Sequence, residues 1–142
     1  MYKHLKIIQS ILIKMVTKLV KDCEILPVLM VKLEDDSVTV AKKLHDFQER
    51  RIFVLNEKKF PVGIISIVDI NDRVVARGKD PKKTKAKEIM SYPINLIIDI
   101  NDSLEEVVKK MIQTDNYYIP VTHKGILVGL LTYANIMKVL KK

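Results

Sequence analysis

The sequence predicts an α+β protein built from two β-α-β-β-α repeats that follow an N-terminal amphipathic helix. Two observations carry this prediction. The chain matches itself at an offset of 66 residues, and each half runs through the same order of strand-like and helix-like apolar patterns. Of the 142 residues 48% are hydrophobic, which suits one domain or two small lobes and excludes a disordered tail.

The duplication is clearest at residue types that seldom match by chance. Proline, aspartate, serine and glycine each meet their own kind at this offset: Pro27 and Pro93, Asp36 and Asp102, Ser37 and Ser103, Gly63 and Gly129. The sequence therefore divides into an N-terminal helix at 1–24, a first repeat at 25–78, a connector at 79–91 and a second repeat at 92–142.

The N-terminal segment carries a helical stripe in which Leu5, Ile8, Leu12, Met15 and Leu19 are spaced by three and four residues. Further isoleucines and valines widen the apolar face beyond a coiled-coil seam, and residues 1–21 contain five lysines and no acidic residue. The first interpretation is a helix that packs on the repeats or across a dimer. A membrane-surface helix with lysines at its margins and a partner-binding helix are the alternatives.

The first repeat is predicted to have strands near 28–33, 51–56 and 61–66, and helices near 38–49 and 67–77. The chain that follows is strongly basic, because residues 73–87 hold seven lysines and arginines against Asp80 alone. We interpret the connector as a solvated linker. An anion-binding stretch and a nucleic-acid site are the alternatives.

The second repeat is predicted to repeat this order. A short apolar run at 94–100 indicates a strand, Asp102 and Ser103 offer an N-cap, and apolar residues at helical spacing follow. Two β-rich runs, Tyr117–Thr122 and Ile126–Leu131, indicate a hairpin, and a helix over 132–140 closes the repeat.

Several classes of protein are excluded. Cys23 is the only cysteine, so there is no disulfide framework, and three scattered histidines do not make a zinc site. No apolar run reaches the roughly 18 residues of a membrane span, and we expect a cytoplasmic protein. We find no nucleophile–base pair and no phosphate-binding glycine loop. We therefore expect a protein that is not an enzyme, with no catalytic residue, no metal and no required cofactor.

Both repeats end in one motif, a glycine, a hydroxyl and a carboxylate or amide at three-residue spacing: Gly63, Ser66 and Asp69, then Gly129, Thr132 and Asn135. A hydroxyl at the end of a strand with an acid three residues later predicts a capping box. The same geometry suits a ligand, since a helix N-terminus favours a phosphate and a carboxylate accepts hydrogen bonds from ribose hydroxyls. The glycine would let a flat ligand approach the backbone.

With these motifs the chain resembles a tandem pair of cystathionine-β-synthase (CBS) domains, a Bateman module, and specifically a stand-alone CBS-domain protein of the archaeal type. The resemblance covers residues 25–140. It rests on the shared ending of the repeats, on the Tyr118–Val121 strand and on the Lys87–Ser91 lead-in to the second repeat. It implies two repeats packed about a pseudo-twofold axis, with clefts that bind AMP, ADP, ATP, S-adenosylmethionine or methylthioadenosine.

In the first repeat the resemblance places Asp69 on the ribose hydroxyls, Ser66 on phosphate or ribose, and Arg51 on phosphate. The residues that open each first strand would touch adenine, largely through their backbone. These are Val28 to Met30 in the first repeat and Ile94 to Leu96 in the second, and Met30, Ile94 and Leu96 are the residues singled out. Tyr92 is either a base-stacking residue or a surface tyrosine.

In the second repeat Thr132 matches Ser66, while Asn135 replaces the aspartate and Tyr118, on the strand that also holds Pro120, stands in the place of the arginine. The implied ligand residues of this repeat are Thr132, Asn135, Tyr118 and Pro120. Because this cleft lacks the basic residue, we expect it to be empty or to take a less charged adenosyl ligand.

The resemblance, together with the Ser66 and Asp69 motif, thus implies a regulatory module, paired as a homodimer, that senses an adenosine-containing ligand and alters an unknown partner protein. The alternative is an adaptor that binds nucleic acid or protein through the same fold and the basic connector. A nucleic-acid role predicts an affinity that falls steeply with salt.

Overall fold

The computed structural model describes residues 2–142. Its helices and strands, numbered in chain order, are α1 Tyr2–Thr17, β1 Met30–Lys32, α2 Ser37–Phe47, β2 Arg51–Leu55, β3 Pro61–Ser66, α3 Ile67–Ile70, α4 Ala86–Ile89, β4 Ile98–Asp99, α5 Leu104–Thr114, β5 Tyr118–His123, β6 Ile126–Thr132 and α6 Tyr133–Leu140. A 3₁₀ turn lies at Val20–Asp22, and a π-helical turn at Asn71–Val75 continues α3.

The chain forms two compact units. The central unit is Val28–Asn95, and the terminal unit joins the segment that ends at Pro27 to Leu96–Lys142. Each unit has a three-stranded sheet whose first two strands are parallel and whose last two are antiparallel. The predicted α+β class and the repeated β-α-β-β-α order are therefore confirmed.

The core of the central unit lies between its sheet and α2. In β3 buried and partly exposed residues alternate, as expected for a strand with one face on the core. Helix α2 begins where the Asp36 carboxylate accepts a hydrogen bond from the Thr39 amide at 2.8 Å, and this bond lowers the pKa of that carboxyl. It ends at Gln48, which has the left-handed conformation common after a helix.

The terminal unit repeats this construction. Helix α5 begins at Ser103, whose hydroxyl accepts from the Glu106 amide, and its buried residues Leu104, Val107 and Met111 share one face. Helix α1 lies against this unit, but only Ile11 and Met15 pack on the core cluster and no residue of α1 is fully buried.

Three predictions of local structure need correction. The strand expected at 94–100 is only Ile98–Asp99, the two residues that lie in register with β5. The helix expected at 67–77 changes to π-helical hydrogen bonding at Asn71. Within the connector, residues 84–91 are part of the folded central unit, because Thr84, Ala86 and Ile89 are buried.

Candidate functional site

A short extended segment pairs with the last strand of each sheet. In the central unit Ser91 and Ile64 exchange two backbone hydrogen bonds of 2.8 and 3.0 Å. In the terminal unit Leu26 and Leu130 exchange two bonds of 2.9 Å. We call Met90–Ser91 and Ile25–Leu26 the lead-in segments, since each precedes the first strand of a repeat.

The repeated glycines accommodate these lead-in segments. A Cβ atom on Gly63 would overlap the side chain of Met90, and one on Gly129 would overlap Ile25 and lie 2.7 Å from the carbonyl oxygen of Leu26. The expectation that Gly63 leaves room for a flat ligand is therefore wrong, because the side chain of Met90 already fills that space.

The central motif forms the predicted capping box at the start of α3. The Ser66 hydroxyl accepts a hydrogen bond from the Asp69 amide at 3.2 Å, and the Asp69 carboxylate accepts one from the Ser66 amide at 2.8 Å. This carboxylate is only 16% exposed and lies 3.6 Å from the guanidinium of Arg73, one helical turn later. The aspartate is thus held by the backbone on one side and by a cation on the other.

The other predicted residues of the first repeat lie at the same end of the central sheet. Arg51 opens β2 directly opposite Ser66, and Met30 opens β1 beside Phe53. The carbonyl oxygen of Met30 accepts a hydrogen bond from the Lys43 ammonium at 3.0 Å. The structure therefore brings Arg51, Ser66 and Asp69 together and places Met30 two strands away along that edge.

A surface groove of about 420 Å³ lies beside this capping box. Its lining includes two arginines, one carboxylate and the lead-in segment: Arg73, Arg77, Glu88, Met90, Ser91 and Tyr92. Arg73 donates a hydrogen bond to the carbonyl oxygen of Ile89 at 2.8 Å, so its guanidinium is fixed at the border between groove and carboxylate. Tyr92 is 70% exposed here, which leaves both of its interpretations open.

The terminal motif has the same cap but a different third residue. The Thr132 hydroxyl accepts a hydrogen bond from the Asn135 amide nitrogen of the backbone at 3.3 Å. The side chain of Asn135 is turned inward: it is 6% exposed and donates to the carbonyl oxygen of Glu24 at 3.0 Å. The amide therefore fastens the chain just ahead of the terminal lead-in segment.

Aromatic side chains surround the terminal cap. Tyr118 lies directly opposite Thr132 in the sheet, as Arg51 lies opposite Ser66. Next to it Tyr117 and Tyr133 stand edge to face with ring centroids 6.0 Å apart, and a hydrogen bond to Asp115 raises the pKa of Tyr117. The replacement of a cation by tyrosine, inferred from the sequence, holds in the register of the strands.

Three other predicted positions are less accessible or lie elsewhere. Pro120 is buried within β5, and Leu96 is 6% exposed in the core of the terminal unit. Ile94 is half-buried in the central unit, so it does not join the other second-repeat residues. For Leu96, only backbone contact with a ligand is compatible with the packing of its side chain.

Sequence reasoning missed Arg73, Met90 and Glu24. Arg73 follows Asp69 by four residues, a spacing that places ion pairs on one helix face and could have revealed it. Met90 and Glu24 act across 27 and 111 residues of chain from Gly63 and Asn135, and nothing local in the sequence marks those contacts.

The one cysteine, the metal-ligating side chains and the helix lengths complete the description. Burial raises the pKa of the Cys23 thiol to about 11, which disfavours the reactive thiolate. Across residues 2–142 there is no cluster of three or more histidine, cysteine or acidic side chains arranged to hold a metal ion. In the same part of the chain, no helix combines the length and apolar character that crossing a membrane requires.

The second repeat matches a known protein family. A family model of the CBS domain matches residues 86–142, which include the whole second motif. The second repeat belongs to the CBS-domain family. A protein from Methanopyrus kandleri, itself uncharacterized, is 30% identical over 106 residues, which are 74% of this chain and 54% of that one. This CBS-domain chain thus spans about half the length of that relative.

Solved structures show the same fold over most of the chain. The CBS domain of a CBS-domain-containing membrane protein from Sphaerobacter thermophilus superposes with a TM-score of 0.74 at 20% identity and covers 98% of both chains. The CBS domains of a transcriptional regulator from Streptococcus pneumoniae give a TM-score of 0.67 at 20% identity, over 86% of this chain and 98% of that one. The present chain therefore has the fold of a CBS-domain pair.

Proposed function

We propose that this protein binds an adenosine-containing ligand through its central unit, at the start of α3. The observation that carries the proposal is the Asp69 carboxylate, fixed by the Ser66 amide at 2.8 Å next to the strand end that holds Arg51. A carboxylate of defined orientation beside a basic residue suits a ligand with vicinal hydroxyls and a phosphate.

The carboxylate has capacity left for a ligand. Two oxygens offer about four acceptor positions, and the bonds described above use one oxygen for the Ser66 amide and direct the other toward Arg73. Ribose hydroxyls can take the remaining positions without removing the cap. Arg51, opposite Ser66 on the neighbouring strand, and Arg73, one helical turn after Asp69, make this part of the unit basic, which favours AMP, ADP or ATP over uncharged nucleosides.

The terminal unit supports a weaker version of the same function. Its amide at Asn135 is bound to Glu24, and Tyr118 replaces the cation. We therefore propose that charged nucleotides bind the central unit, and that any ligand of the terminal unit is a less charged one such as methylthioadenosine.

CBS domains are generally regulatory, non-catalytic modules for which ligand binding is typical. On that ground we propose that ligand binding here changes how the module acts on a partner protein, and that the module works as a homodimer. No required cofactor enters this proposal, and the adenosyl compound is a regulatory ligand.

Thermal unfolding of the full chain with AMP, ADP, ATP, S-adenosylmethionine and methylthioadenosine tests the proposal. A ligand at 100 times its Kd stabilises the folded state by about 2.7 kcal/mol. For a chain of this size, that raises the Tm by roughly 5–11 °C. We expect the shift with at least one nucleotide and its loss in Asp69→Ala.

Asp72→Ala is the matched control, because Asp72 is an exposed carboxylate on the turn that follows α3 and accepts a hydrogen bond from the side chain of Asn71. It should keep the full shift. If no ligand shifts the Tm, or if Asp69→Ala keeps the shift, the proposed site is wrong. Salt-sensitive binding of nucleic acid by the lysines at 79–85 would then support the adaptor alternative.

A further inference from the structure

Helix α1 exposes a broad apolar face that the rest of the described chain does not cover. Six large apolar residues on it are each more than half exposed: Tyr2, Leu5, Ile8, Leu12, Ile13 and Val16. With 3.6 residues per turn, Leu5, Ile8, Leu12, Ile13 and Val16 lie within an arc of roughly 140°. Gln9 is the one polar residue within this arc. An exposed apolar patch of this kind marks a surface that contacts a partner or a membrane.

The opposite side of α1 is basic. Lys3, Lys6 and Lys14 lie together with Ser10 and Thr17 on the arc across from the apolar face, and Ile7 borders this arc next to Lys14. The segment up to residue 21 contains five lysines and no acidic residue. Contact with the terminal unit occurs at the edge of the apolar arc, through Ile11 and Met15, and leaves both faces accessible.

Charge decides between the surfaces that could cover this face. Two copies of α1 paired together would bring six lysines into proximity with no carboxylate on either helix to pair with them, so interhelical salt bridges could not form. Nucleic acid would neutralise the lysines but leave the apolar arc in water. An anionic lipid surface matches both faces, since acyl chains take up the apolar side chains and headgroups attract the lysines.

We propose that α1 is an interfacial helix that attaches this protein to the surface of an anionic lipid bilayer, with Leu5, Leu12 and Val16 in the boundary between headgroups and acyl chains. The lysines lie at the headgroup level, and the two folded units stay outside the bilayer. This role is separate from ligand binding at Asp69.

Flotation of the full chain with lipid vesicles tests this proposal. Wild type should float with vesicles of equimolar phosphatidylcholine and phosphatidylserine and stay behind with phosphatidylcholine alone. Lys3→Gln with Lys6→Gln should weaken binding by about fivefold for each lysine removed. Lys82→Gln with Lys83→Gln removes the same charge from exposed positions outside α1 and should leave binding unchanged.

A tryptophan reporter locates the helix, because the chain has no tryptophan of its own. Val16→Trp on the apolar arc should shift its emission to the blue with anionic vesicles, whereas Ser10→Trp on the polar arc should not. Circular dichroism confirms that each variant is folded.

Three outcomes would overturn the proposal. They are flotation that does not depend on phosphatidylserine, equal emission shifts in Val16→Trp and Ser10→Trp, and no flotation of wild type. In the last case, a wild-type dimer that Leu12→Gln converts to a monomer would identify a second copy as the partner of this face.

Discussion

Asp69 in the central unit and Asn135 in the terminal unit occupy equivalent positions, three residues after the hydroxyl that caps a helix. Asp69 bonds its own cap and an arginine on the same helix. Asn135 instead reaches the carbonyl oxygen of Glu24 and is buried. In the terminal copy the third residue of the motif stabilises the fold, whereas in the central copy it stays at the helix cap, where we propose that it binds a ligand.

The lead-in segments differ in a related way. In the central unit, ion pairs from Lys85 and Lys87 to Glu34 hold the helix that carries the lead-in segment. In the terminal unit, a neutral amide performs this role. The central lead-in segment is thus fastened by interactions that respond to pH and salt, and the terminal one is not.

The largest expected loss of stability comes from replacing a motif glycine, Gly129 or Gly63, by alanine. Gly129→Ala places a methyl group against the backbone carbonyl of Leu26, which cannot move without breaking its pairing with Leu130. We expect it to lower the free energy of unfolding by about 2–3 kcal/mol. Gly63→Ala meets the flexible side chain of Met90 and should cost about 1 kcal/mol. Urea denaturation measures both, and equal losses would show that the two lead-in segments are equally adaptable.

The next largest change in stability is expected when the third residue of each motif is replaced by its counterpart from the other repeat. Asn135→Asp places a carboxylate against the carbonyl oxygen of Glu24 in a buried site, and we expect a loss of about 2 kcal/mol at neutral pH. Asp69→Asn keeps an oxygen that can accept from the Ser66 amide, so its loss should stay below about 1 kcal/mol. The same denaturation experiment compares them. The comparison fails if Asp69→Asn proves the more destabilising change.

The smallest effect is a pH dependence confined to the central lead-in segment. Hydrogen bonds from Lys85 and Lys87 lower the pKa of Glu34 from 4.5 to about 2. Because the folded-state pKa is the lower one, this stabilisation is present above pH 4.5 and is lost as the pH falls toward 2.

Amide hydrogen exchange, corrected for intrinsic rates, measures how the loss of the Glu34 ion pairs at low pH affects the central lead-in segment. Protection at Ser91 should fall over that pH range more than protection at Leu26, and Glu34→Gln should remove the difference. Glu57→Gln, at an exposed position of the β2–β3 hairpin, is the control. Equal losses of amide protection at Ser91 and Leu26 would show that the Glu34 ion pairs do not specifically stabilise the central lead-in segment.

The features that were predictable from the sequence depend on neighbours in the chain. The cap at Ser66 and the order of strands and helices follow from residues within one or two turns, and both are confirmed. The function of Gly63 and the inward turn of Asn135 depend on Met90 and Glu24, which are distant in sequence. The motif shared by the two repeats identified both positions but carried no information on what they contact.

The strand expected at 94–100 shows a second reason why part of the fold was not predictable from the sequence. Its apolar run reflects burial, but a strand also requires a partner in register, and only Ile98 and Asp99 have one on β5. The motif residues proposed for the ligand remain a prediction, since their local geometry fits two functions, capping and binding.

Isothermal titration of the full chain with the nucleotide that gives the largest Tm shift tests the central claim most directly. We predict one binding site per chain, an affinity reduced about 10–100-fold in Asp69→Ala, and an unchanged affinity in folded Asn135→Ala. Two equivalent sites, or an affinity that depends on Asn135 and not on Asp69, would contradict the account.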